Sequence, residues 1–191
     1  MVDAFATYEQ LGTALNRTFT VGAESDWITS LLEDASTYLR EDVIGQQVFP
    51  QTTASFLAWP EGSGAIVLPQ APVIAVTGVT LAGAPIDFEW RDNLVTVATD
   101  KQVEVTFTYG YTTPPEGLKR WACVLVSQAL QLLENQLGLS VGGLSSLAID
   151  DFRLAFANAG EETGMTLSDR NIALIRRQYS TGDVHVTDSR A

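Results

Sequence analysis

Apolar residues recur at helical spacing near the start of the chain, where Tyr8, Leu11, Ala14 and Leu15 form a stripe. Thr7-Tyr-Glu-Gln10 opens this stretch as a capping box, the threonine hydroxyl taking an unpaired backbone amide while the glutamine side chain reaches back. The pattern predicts a short helix ending near Arg17. A longer helix is predicted from about Glu24 to Val43. Ile28, Leu31, Leu32, Ala35, Leu39 and Val43 fall on one of its faces, and Asp26, Glu33, Asp34, Thr37, Arg40 and Glu41 on the other.

From Gly45 to Tyr111 the period changes. β-Branched and aromatic residues alternate with polar ones, and Gly, Pro, Asp or Asn interrupts every few positions, as in a unit of short antiparallel strands. The clearest strand runs from Gln102 to Tyr109, with Val103, Val105, Phe107 and Tyr109 on one face and Glu104, Thr106 and Thr108 on the other. Val73 to Leu81, Phe88 to Trp90 and Leu94 to Val97 read as further strands, separated by turns at Ala82-Gly-Ala-Pro85 and Arg91-Asp-Asn93. Gln46 to Gly64 reads as a long hairpin or a mobile loop.

Thr113-Pro-Pro-Glu116 then resembles a second capping box, with proline at the first helical position where its missing amide is harmless. A long helix is predicted behind it, because Leu118, Trp121, Ala122, Leu125, Val126, Ala129, Leu132, Leu133 and Leu137 keep helical spacing. Cys123, Val124 and Leu130 widen the arc until Arg120, Ser127, Gln131 and Glu134 form the clear polar stripe. So broad an apolar surface predicts cover from neighbouring subunits. A Gly/Ser-rich connection, a strand-like segment from Leu147 to Ala157 and a Gly/Glu loop follow. A last helix starts near Thr166-Leu-Ser-Asp169, with Ile172, Ile175 and Tyr179 on one side and Arg170, Arg176 and Arg177 elsewhere on its surface. Ser180 to Ala191 is polar and lacks periodicity, so a partner would have to order it.

These elements make an α+β fold: a small helical bundle with a long central helix and an inserted antiparallel β unit. The expected organisation is one domain over residues 1–179, with helical core 1–44 and 113–179, insertion 45–112 and a flexible tail 180–191. The 46% hydrophobic and 18% charged content of the 191 residues is that of a globular chain. Neither a membrane span nor a signal peptide is read from the sequence, so folding in the cytoplasm of the producing cell is expected. With 23 acidic against 11 basic residues the formal charge is −12, a field that repels nucleic-acid phosphates rather than gathering them.

Candidate chemistry is sparse. His185 is the single histidine and lies in the polar tail, a poor place for a catalytic base. Cys123 is the single cysteine, which rules out an internal disulfide, and it sits at the edge of an apolar arc, as a buried hydrophobe rather than a reactive thiolate would. Asp150-Asp151 with Glu161-Glu162 is the least implausible carboxylate group for a divalent cation, but no metal-loop spacing surrounds it. The glycine-rich spots at Gly62-Ser-Gly64 and Val141-Gly-Gly143 match neither phosphate-binding nor dinucleotide-binding loops. No enzyme, cofactor or metal site is therefore expected. Of Trp27, Trp59, Trp90 and Trp121, the first choice for a partner contact is Trp59, beside Pro60 in the uncertain segment.

The order of segments resembles the head-to-tail adaptor (connector) family of long-tailed bacteriophages over nearly the whole chain. The phrases that carry the likeness are Tyr8-Glu-Gln-Leu11, Leu31-Leu-Glu-Asp-Ala-Ser36, Val67-Leu-Pro-Gln-Ala-Pro-Val-Ile-Ala-Val76, Val105-Thr-Phe-Thr-Tyr-Gly-Tyr111, Thr113-Pro-Pro-Glu116 and Thr166-Leu-Ser-Asp-Arg170. None is diagnostic alone; order and spacing together are. The resemblance implies a virion structural protein in the neck, assembled in the host cytoplasm. It would form a homo-oligomeric, dodecameric ring under the portal protein, meet a stopper or tail-completion protein, and give genomic double-stranded DNA a channel without binding it specifically. It implies no catalytic residues. Arg170, Ile172, Ile175, Arg176, Arg177 and Tyr179 are the expected portal or subunit interface. The alternatives are another neck or tail-completion protein, a small-ligand-binding module with a pocket around Trp59 and Trp90, and an enzyme of unfamiliar type.

Overall fold

The computed structural model describes residues 3–137 and 165–180. The fold is α+β, with four α-helices and two antiparallel sheets among the described residues. These residues divide into two compact units. A helical unit contains residues 3–43, 113–137 and 165–172, and a β unit contains 44–112 and 173–180. The strand expected between Leu147 and Ala157 and the tail beyond Ser180 lie outside the described residues.

In the helical unit, α1 (Tyr8–Leu15) carries the capping box: the Gln10 amide donates to Thr7 Oγ1 at 3.4 Å, and the Thr7 amide donates to the Gln10 side chain at 3.0 Å. Asn16, at φ 51°, ends the helix in the left-handed conformation. The next helix, α2 (Ala23–Tyr38), buries Trp27, Ile28, Leu31, Leu32 and Ala35 on one face. Its last six residues, Leu39–Ile44, wind as a π-helix instead of continuing the α-helix expected through Val43. In an α-helix Ile44 would point about 140° away from Leu39. Adding a residue to the turn brings it back, so that Leu39, Val43 and Ile44 are all buried. Ser36 fixes the entry of the chain, its Oγ accepting the Phe5 amide at 2.8 Å and donating to the Leu32 carbonyl at 2.6 Å. Arg40 lies across the Phe5 ring, 5.1 Å from its centroid, and donates to the Asp3 carbonyl.

The long helix α3 (Glu116–Leu137) packs against α1 and α2. It begins two residues later than a Thr113 cap would place it: the Pro115 carbonyl accepts the first helical bond, from Lys119, and Glu116 pairs with the Lys119 ammonium instead of reaching back. Leu118, Ala122, Leu125, Val126, Ala129 and Leu130 are buried. Most of the wide apolar arc is thus covered within the chain, contrary to the expectation that neighbours must cover it. What stays open is Val124, 39% exposed, in the stripe that also presents Arg120, Gln128 and Gln131.

The β unit packs one sheet on another. The larger has the order β1-β7-β3-β4, from β1 (Thr52–Ala58), β3 (Val73–Leu81), β4 (Ala84–Pro85) and β7 (Val103–Tyr109). The smaller has the order β2-β6-β5, from β2 (Ala65–Val67), β5 (Phe88–Arg91) and β6 (Leu94–Val97). Val103, Val105, Phe107 and Tyr109 point inward and meet Ile66, Leu68, Val79, Val95 and Val97 in one core. Gln46 to Gly64 is neither hairpin nor loop as a whole. It holds β1, which pairs with β7 more than forty residues away in sequence, in unbroken register from Thr52↔Tyr109 to Ala58↔Val103.

Candidate interaction surfaces

Reactive groups are few in the folded parts. The Cys123 thiol is half-buried on α3, and that burial pushes its pKa up, so it holds less thiolate at neutral pH than an exposed cysteine. Among the described residues no three His, Cys, Asp or Glu side chains converge as metal ligands. His185 and the Asp150-Asp151 and Glu161-Glu162 groups lie outside the described residues.

Cys123 instead lines a groove between α1 and α3, of about 480 Å³, with Leu11, Ala14, Leu15 and Val124 as its floor. Its rim carries Gln10, Glu116, Lys119, Arg120 and Ser127. The Lys119 hydrogen bond and positive charge hold the Glu116 carboxyl below the usual carboxylate range. Charges of both signs at the rim and hydrocarbon at the floor suit a side chain from another protein better than a reacting substrate.

The last helix, α4 (Asp169–Tyr179), starts after Ser168, whose carbonyl takes the amides of Asn171 and Ile172. Arg170, Arg176 and Arg177 are exposed, while Ile172 and Tyr179 are half-buried. Ile175 is 1% exposed and packs inside the chain's own fold, so the interface role expected of it does not hold. The apolar residue offered outward is Leu174, 52% exposed, which shares a helix face with Arg170 and Arg177. The helical stripe in the sequence showed two apolar positions, but not which side the rest of the chain would cover.

A residue that pattern reading passed over holds the end of this helix. Gln46 is buried; its side-chain oxygen accepts the Ala71 amide at 3.2 Å, and its nitrogen donates to the carbonyls of Ala71 and Tyr179. Nearby, burial first and the Tyr111 phenol second raise the Tyr179 hydroxyl above its ordinary pKa. A lone glutamine has no periodicity, so no sequence signal marked it.

Trp59 is 67% exposed just past the end of β1, next to Leu57 at 65%. Trp90, on β5, is 40% exposed. The concavity of the β unit is lined by Pro60 to Gly64 and Val97 to Asp100, and includes neither tryptophan. The outer face of the larger sheet is a hydroxyl ladder: Thr53 meets Thr108 at 2.8 Å, Ser55 meets Thr106 at 2.7 Å, and Thr77 donates to the Thr106 carbonyl. No model of a known family and no curated protein matches this chain.

Proposed function

We propose that this chain is a head-to-tail adaptor of a long-tailed bacteriophage, a structural subunit whose copies form a ring beneath the portal and leave a channel for the genome. The observation that carries the reading is the order of elements. Two N-terminal helices give way to a β unit after Val43, and the chain returns at Thr113 into a 22-residue helix. That is the order on which the resemblance rests. The open groove between α1 and α3 and the exposed Leu174 between arginines supply surfaces for neighbours, and the described residues offer no group of side chains suited to catalysis.

The charge suits the same role. A ring whose subunits each carry −12 presents carboxylates to the duplex and keeps phosphates from adhering to the wall during packaging and ejection. In this reading α4 and the residues after it attach the ring to the portal, through planar arginine donors facing carboxylates.

The test is sedimentation of the purified chain alone, with isolated portal, and with DNA-filled heads that lack an adaptor. A ring-sized species, or stoichiometric binding to portal or heads, is the expected result. A chain that stays monomeric in all three mixtures is not an adaptor.

A further inference from the structure

The four outer edges of the two sheets are not alike. β2 has three residues, and β5 has four, including Glu89 and Arg91. β3 is partly covered by β4 and breaks its register between Val73 and Ala75 and again between Val76 and Gly78. Short length, charge and bulges are the usual means of keeping a sheet edge from recruiting another strand. β1 has none of them. Its seven residues, Thr-Thr-Ala-Ser-Phe-Leu-Ala, carry no charge and no proline, and their register with β7 is unbroken. Among the described residues no strand lies along its other side. Ala54, Phe56 and Ala58 face the core yet are only partly buried, so the core is left open along this edge.

We infer that β1 receives an added strand, and that the strand is the C-terminal segment 181–191 of a neighbouring copy of this chain. The place where the described chain ends supports this occupant. The Tyr179 carbonyl is held by Gln46, and the side chain of the next residue, Gln47, donates to Thr52 Oγ1 at 3.0 Å, at the first residue of β1. Eleven residues follow Ser180 in the sequence. Extended, they span about 36 Å, whereas seven paired residues need about 23 Å.

The composition of the segment fits as well. Val184 and Val186 are its two large apolar residues and stand two apart, with His185 and Thr187 interleaved. In an extended strand the two valines share a face and would cover the open flank of Ala54 and Phe56, while His185 and Thr187 would extend the hydroxyl ladder of Thr53 and Ser55. Asp183 and Asp188 meet no carboxylate on β1, so two strongly acidic copies would join along an uncharged line. Each copy gives one segment and receives another. That is a head-to-tail contact, which closes into rings when the rotation allows. The inference rests on the ring reading for the neighbour it invokes.

Disulfide trapping in the full-length chain tests it. In a Cys123→Ala background, Thr53→Cys is combined in turn with His185→Cys and with Thr187→Cys, all outside the packed core. Oxidation should give a ladder of multimers on a non-reducing gel, whereas each single-cysteine variant stops at dimers. Adding Ser55→Lys and Leu57→Lys should reduce the ladder at least tenfold. An internal loop within one chain would replace exchange between copies by pairing within a copy and overturn the proposal. Rings seen by sedimentation with no cross-link would overturn the strand exchange and leave the adaptor reading standing. Absence of both ring and cross-link would overturn both.

Discussion

Gly64 shows how much one position can require. It stands at φ +83°, and its carbonyl accepts the Val97 amide at 2.9 Å. A Cβ there would lie 2.0 Å from the Val97 carbonyl oxygen, which is backbone and cannot swing aside. Gly64→Ala therefore combines left-handed strain with a collision and should destabilise the protein by about 2 kcal/mol or more. Denaturant unfolding checks this, and a change under about 0.5 kcal/mol, the range of ordinary surface substitutions, would contradict it. Cys123 makes the opposite prediction, of quietness. Since burial raises its thiol pKa, disulfide reagents at pH 8 should modify the folded protein much more slowly than the unfolded one. Equal rates in buffer and denaturant would show the thiolate to be open to solvent.

Elements are where reading from sequence and the folded structure can be compared. The strand β7 and the Thr7 capping box were legible because their signals are local: an alternation within seven residues, and a hydroxyl three residues from its glutamine. β1 was not legible. Thr-Thr-Ala-Ser-Phe-Leu-Ala alternates weakly, and its identity as a strand comes from β7, whose Thr108 meets Thr53 from 55 positions away. The π-helical end of α2 was hidden too, since α-helical and π-helical turns place Leu39 and Val43 alike and differ at Ile44. The candidate surface was read in part: the arginines of α4 are exposed as expected, but Ile175 and Leu174 exchanged places. For α3 the faces yield a direct comparison. Leu125 is fully buried and Gln131 exposed, so Leu125→Ala should cost about 2–5 kcal/mol and Gln131→Ala less than about 0.5 kcal/mol. Equal shifts in denaturant midpoint would mean that the helix is rotated about its axis.

For the whole molecule the predictions concern attachment. If α4 docks onto the portal, Arg176→Glu with Arg177→Glu should leave the melting temperature within a few degrees of the original while weakening co-sedimentation with adaptor-less heads. The original protein's attachment should itself weaken as salt rises, because charge pairing at an interface rim is screened. Undiminished attachment of the charge-reversed chain would shift the docking surface to the groove of α1 and α3 or to Trp59.

The bond between Gln46 and Tyr179 bears on how the β unit could have been acquired or could be removed. An insertion whose two ends meet can be cut out and replaced by a short linker, leaving its host intact. Here the end of α4, far along the chain from the insertion, is held by the insertion's own second residue after Ile44. Excising residues 45–112 would strip the Tyr179 carbonyl of its donor and remove residues that share a compact unit with the second half of the helix. The β unit is therefore not a detachable cassette. A shortened relative of this protein should have lost, or rebuilt, its last helix together with its strands.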